Sequence, residues 1–346
     1  MGLRRSMGGA MKSLFLLVSA SLIALVSRTG SVCLQDDAAP RAAARAVAAH
    51  IVGPGDCEDC HEAEVAALEA SWHWKGFSSI LGNEQGREIA KAMGIAKPKK
   101  DWRCLRCHAT PGLKKETLTA LGGVSCESCH GPAEAWMDLH DDYGDGEKEE
   151  ESAQHAAERI AATVKAGMRR PDRVHELASA CFDCHVVDDR KLVEEGEHPT
   201  GEGFELLSWS QGEVRHNYMK TDGEKNLAAS PQRRRVLFLV GQLVALERLA
   251  PLVGSGTAVG AHAKSLKTRR DAAMAAVTKA HGLLGEASRL KALVSALHGP
   301  EGEQSDGKRV ASLAKKAAEY YGRSEDANLA PLDIMLPKDV KGQPAR

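Results

Sequence analysis

Residues 123–136 read Gly-Val-Ser-Cys126-Glu-Ser-Cys129-His130-Gly-Pro-Ala-Glu-Ala-Trp136, and the spacing inside this stretch decides how the chain is built. Two thiols three positions apart are followed at once by an imidazole and then by a Gly-Pro turn. A disulfide has no use for the histidine, and a zinc knuckle has no reason to fix a histidine beside its second cysteine. Covalent haem attachment uses all three groups: the thiols form thioethers with the vinyl groups and the imidazole ligates the iron.

The frame recurs as Cys57-Glu-Asp-Cys60-His61, Cys104-Leu-Arg-Cys107-His108 and Cys181-Phe-Asp-Cys184-His185, so that eight of the nine cysteines are used this way. A pair of four-cysteine zinc ribbons would also be built from such thiol pairs. With only 14 histidines among 346 residues, finding one behind all four pairs favours attachment over zinc. The cofactor expected is haem c, four copies covalently attached, with iron held on the proximal side by His61, His108, His130 and His185.

The N-terminus supports export. Arg4, Arg5 and Lys12 precede an apolar run from Ser13 to Ser27, about 15 residues long and short for a membrane span of about 20. Residues 1–32 are expected to be a signal peptide or N-terminal anchor, and the protein to be periplasmic or otherwise extracytoplasmic. Cys33, the odd cysteine, lacks the small preceding residue that a lipidation site wants, so membrane attachment is expected only through the N-terminus.

Aromatic residues make up 4% of the chain, and four macrocycles would supply the flat apolar surface that Phe and Tyr usually provide. Charge is unevenly distributed: residues 51–220 hold 32 acidic and 20 basic side chains, net −12, whereas residues 221–346 hold 13 acidic and 20 basic, net +7. An acidic haem-bearing face predicts redox partner proteins with a basic docking face. No phosphate-binding glycine loop, nucleophile elbow or nucleic-acid patch rises above background.

The predicted fold is mainly α: a multihaem cytochrome c with a haem-packed core plus a C-terminal helical subdomain. Residues 33–50 read as a linker becoming helical near Ala46, 51–220 as the four-haem domain, 221–323 as the helical region and 324–346 as a flexible tail. The attachment motifs are separated by 47, 22 and 55 positions, and the short middle spacing makes the second and third haems expected neighbours. No stretch alternates with period 2, so little or no sheet is expected. Val236, Leu237, Leu239, Val240, Leu243, Val244, Leu246 and Leu249 form a broad apolar stripe on a helix that Pro251 is expected to end. Further helices are predicted over 258–284, 286–298 and 308–322.

Each iron has a second axial position. His73 lies twelve residues past His61, roughly 18 Å along a helix, too far to serve the same haem. His140 follows the third motif and, like His73, should reach a neighbouring haem. His198, before Pro199, is presented from a loop. These three are the predicted distal ligands, with His175 and His216 next. His50 is weaker, His155 is expected to be solvated, and His262, His281 and His298 to lie on the surface. Met137 and Met219 are candidate thioether ligands, although isolated methionines usually pack.

The runs CEDCHEAEVAALEASWH, GVSCESCHGPAEAWMDLH and CFDCHVV with the following EHPTGEGFEL resemble the tetrahaem cytochrome c-552/4 (c-554) class, over about residues 51–220. The resemblance implies a mostly helical electron carrier with closely packed haem pairs, mainly bis-histidine ligated, with His73, His140 and His198 at the class's distal positions. It also implies an oxidising donor partner such as hydroxylamine oxidoreductase, and in some members one five-coordinate haem. Here the third motif continues Gly-Pro-Ala rather than the frequent Gly-Pro-Gly, and residues 221–346 lie outside the likeness. Two functions follow. One is an electron carrier, in which every iron is closed by two histidines. The other is a multihaem oxidoreductase acting on a small nitrogen or sulfur species at one five-coordinate haem, with Arg215, His216 and Tyr218 as a proton-delivering cluster.

Overall fold

The computed structural model describes residues 38–298, 306–324 and 327–344. The export segment and Cys33 lie outside the described residues. The fold is mainly α, as the motif spacing and helical periodicities predict. Its principal helices up to the second motif are α1 (Ala38–Ala48), α2 (Glu62–Glu69), α3 (Trp72–Ser79), α4 (Glu84–Ala92) and α5 (Trp102–His108). A two-stranded antiparallel hairpin follows, β1 (Thr110–Lys114) and β2 (Thr117–Gly122). Then come α6 (Cys126–His130), α7 (Ala153–Lys165), α8 (Val174–His185), α9 (Pro231–Gly254), α10 (Gly260–Leu284), α11 (Lys291–Leu297) and α12 (Gly307–Arg323).

The helix starts carry local signals. Ser71, Asn83, Asp101, Ser152 and Ser230 each accept a backbone N–H of the first turn behind them, satisfying donors that a helix leaves unpaired. The hairpin turns through Lys115 and Glu116, both at positive φ (48° and 61°), the backbone shape that matches the twist of paired strands. Within the 22 residues separating the second and third motifs, this hairpin loops out and returns the chain to where it left.

The C-terminal region is organised around α9. Leu239, Val240, Leu243, Val244 and Leu246 have no exposed surface, and each such side chain contributes about 1.5–3 kcal/mol relative to an exposed one. Helix α9 is long and apolar enough to cross a membrane, yet 67% of its most apolar window is buried within this fold. It packs against α8, α10 and α12, so the helix carrying the fourth motif is itself part of this core through Val174, Ala178 and Phe182.

Two expectations are corrected here. Pro251 does not end α9, which continues to Gly254. Proline removes a single N–H, the last turn is closed by Ser255 N–H donating to the Pro251 carbonyl (2.9 Å), and Gly307 lets α12 begin directly against the Ala250 carbonyl, where a Cβ would sit 2.4 Å away. The C-terminal segment, expected as a flexible tail, forms a helical turn over Ala330–Met335. Leu329 and Leu332 are buried in the main core, and the Lys341 backbone pairs with Glu213 and Ser208.

Candidate haem-binding sites

In three of the four motifs a helix carries the first thiol, the second thiol and the imidazole at positions i, i+3 and i+4, which face the same side. The second motif closes α5, the third is α6, and the fourth closes α8. The first lies on a single turn, Gly55–Glu58, running into His61. None of the eight cysteines is in a disulfide. The third motif is fastened from both sides. Thr110, just past the second motif, bonds Ser125 (2.7 Å) and Ser128 (2.9 Å) through its hydroxyl. Glu127, the first residue between the two cysteines, is buried and accepts the N–H groups of Val52 (3.1 Å), Gly53 (2.8 Å) and Ala133 (2.8 Å). At the equivalent position the second and fourth motifs bury Leu105 and Phe182, and nothing in the sequence pattern separates the buried Glu127 from the exposed Glu58 of the first motif.

Four of the eight thiols come together in two couples. The Cys126 thiol, hydrogen-bonded to Cys57, pushes Cys57 well above the usual thiol range and is itself held down by that bond. Cys107 and Cys184 form a second such couple, with Cys184 raised and Cys107 lowered. The close thiol couples therefore join the first motif to the third and the second to the fourth. The second and third motifs themselves lie side by side through Thr110, because the hairpin between them returns the chain to its start.

The histidines also come together in twos, one from a motif and one from elsewhere. His61 faces His140 with ring centroids 6.3 Å apart and planes at 27°; His73 faces His185 at 6.1 Å and 71°. His108 faces His198 at 6.0 Å and 60°, and His130 faces His216 at 6.3 Å and 88°. All eight rings are half-buried. Metal–imidazole bonds run to about 2 Å, so two of them, plus the short step from each nitrogen to its ring centre, account for about 6 Å. Nδ1–H of His130 donates to the Arg169 carbonyl (2.9 Å), His198 to Pro199 (2.7 Å), His216 to Val214 (2.6 Å) and His140 to Met137. Each bond leaves Nε2 with the free lone pair, as metal-ligating histidines require. Burial pushes His108, His130 and His185 down to about 4 and lowers His73 and His198, which keeps the rings neutral, the form that binds iron. These thiol couples and histidine couples fit haem c. Among the described residues no cluster of three or more His, Cys, Asp and Glu side chains forms a cage for a bare ion.

His73, His140 and His198 thus each meet the ring of a motif other than the one preceding them. The partner of His130 is His216, which stands outside the three predicted distal ligands. Its near rival His175 is buried on α8 with Nε2 2.8 Å from a Glu247 carboxylate oxygen across the α8–α9 contact. His262 is buried, not on the surface, and its Nε2 lies 3.0 Å from the Val187 carbonyl. His50 pairs with Glu134 and His155 with Glu151 (2.8 Å). Met219 is half exposed. The acidic stretch after His140 is anchored at Glu151, which the Arg159 guanidinium, aided by His155, holds at about 2; Arg159 also donates to the His140 carbonyl.

Residues 56–131 match the model of the family described as Cytochrome c554 and c-prime. Among curated proteins, cytochrome c-554 of Nitrosomonas europaea is 25% identical over 144 residues, 39% of this chain and 57% of that protein. The chain therefore spans little more than half the length of this relative. No solved structure matches. Both matches support the resemblance that the motifs carry: the attachment region is similar to cytochromes of the c554 type.

Proposed function

We propose that this c554-type chain is an exported tetrahaem electron carrier in which every iron is held between two histidines. The observation that carries the reading is the set of four histidine couples at 6.0–6.3 Å, each containing one motif histidine. When bound, haem c supplies a one-electron iron couple. The chain supplies the rest. Cys57 and Cys60, Cys104 and Cys107, Cys126 and Cys129, and Cys181 and Cys184 provide the thioether sulfurs. The four irons would be held by His61 with His140, His108 with His198, His130 with His216 and His185 with His73, the rings that face each other.

An enzyme acting at an open iron needs a motif histidine without a partner ring, and His216, the imidazole of the proton-delivering alternative, already faces His130. That favours the carrier. The excess of acid over residues 51–220 suits a partner with a basic docking face, an attraction screened beyond about 8 Å at physiological ionic strength. A periplasmic location follows from the chemistry of attachment and the N-terminal signal.

Intact-mass measurement of the mature protein after acid-acetone extraction tests the count. Four covalent haem masses are expected, and three or fewer in a fully matured sample would refute the tetrahaem reading. The His175→Ala protein should keep every iron low-spin, since that ring is committed to Glu247. A new high-spin iron in it would make His175 a ligand.

A further inference from the structure

His185 ends α8 and faces His73, but a second ring also lies against it. Phe204 stacks on the His185 imidazole with centroids 4.1 Å apart and planes within 9°. Among the described residues Trp136 is the other aromatic ring against a coupled histidine, and it meets His140 edge-on, at 5.5 Å and 87°. Phe204 is itself held. Its edge contact with Phe182, at 5.1 Å and 86°, ties it to a buried residue one helical turn before His185. The loop that brings it there closes tightly on the end of α8. Gly201, at φ 76°, passes so near that a Cβ would lie 2.4 Å from the His185 carbonyl oxygen, and Arg269 donates to the Thr200 carbonyl (2.9 Å). The same loop begins with His198, which faces His108.

Nδ1–carbonyl bonds hold the planes of His130, His140, His198 and His216. Among the described residues no hydrogen bond holds the His185 ring. A flat ring stacked at van der Waals distance restrains rotation about the bond joining the imidazole to its Cβ, because turning the imidazole forfeits the face contact.

We propose that Phe204 is a positioning residue that sets the plane of the His185 imidazole, and with it the 71° angle between the two rings of the fourth couple. The inference rests on the reading above that His73 and His185 are the two axial ligands of one iron. In low-spin ferric haem the angle between two axial imidazole planes governs how the iron d orbitals split. It therefore governs the highest g value in electron paramagnetic resonance and, with the ligand field, the potential.

The test uses the full-length holoprotein. His73→Ala first marks the signal of the fourth couple as the low-spin signal that disappears. Phe204→Leu should then retain four covalent haems, all low-spin, while that one signal moves or broadens and the other three superimpose on the wild type. Phe204→Tyr, which keeps the stacked face, should restore the wild-type position. Phe204→Met, closer in volume, serves if the leucine variant does not accumulate. A four-haem, all-low-spin Leu or Met variant with the marked signal unmoved would overturn the proposal, as would a Tyr variant displaced as far as Leu. If His73→Ala removes no low-spin signal, the axial pairing fails and the inference goes with it. A marked signal that exists but ignores Phe204 defeats the inference alone.

Discussion

The two ends of this molecule solve the problem of a core differently. From Pro231 onward the chain buries leucine, valine and alanine against one another, with α9 as the axis, and α8 and the short helix Leu206–Ser210 join from the other side. Around the first three motifs the purely apolar clusters are small: Ala48, Leu105, Ala109 and Leu118 form one, and Ala90, Met93 and Ile95 another. What fills the middle of that region is instead polar chemistry in couples, thiol beside thiol and imidazole facing imidazole. The first core is complete in amino acids. The second is written for a prosthetic group, and its histidines and cysteines are spaced for that group rather than for each other.

The sharpest way to break the comparison is to withhold the cofactor. In a chain with all eight motif cysteines replaced, hydrogen exchange should leave the amides of α9, α10 and α12 protected, while those between residues 55 and 140 exchange as in an open chain. Uniform protection would mean that the motif region has a sufficient core of its own. Within the C-terminal core, Leu243→Ala should lower unfolding stability by about 2–5 kcal/mol through lost burial and a residual cavity, with haem count and spin states unchanged. A loss of haem in that variant would show that the two regions do not separate energetically.

The smallest expected effect concerns the acidic stretch beside His140. Glu151 is held at about 2 by Arg159, below its ordinary 4.5, so the unfolded chain takes up the proton first as pH falls. The clamp contributes fully above about pH 4.5 and is lost as pH drops through about 2. Glu151→Gln should therefore narrow the difference in acid stability from wild type progressively over that window, followed by circular dichroism. A difference that persists unchanged below pH 2 would assign the contribution to something other than this charge.

How legible the molecule was differs in the same way between its regions. The attachment motifs announce themselves because their chemistry fixes five consecutive residues, and the α9 stripe because a helix repeats its face every three to four positions. His73, His140 and His198 were recognisable from their placement near motifs. His216 ranked only behind them, level with His175: it sits in an irregular segment, and its meeting with His130 depends on the chain returning after α8, which no local pattern encodes. The thiol couples join motifs distant in the sequence, which no local pattern encodes, and the hairpin was missed because its two positive-φ residues, Lys115 and Glu116, are not the glycine or asparagine that usually signal such a turn. Leu329 and Leu332 lie in a short segment without periodicity, so their burial follows only from the groove against which they pack.

The central claim is that four motif histidines meet four others, leaving no iron open. Spin quantitation by electron paramagnetic resonance of the fully oxidised wild-type holoprotein tests it most directly. The expected spectrum holds low-spin ferric signals accounting for all four haems, with no high-spin component, and His216→Ala converts one of the four to high-spin. A wild-type spectrum in which one haem is already high-spin would contradict the account and return the protein to the class of enzymes with an open iron.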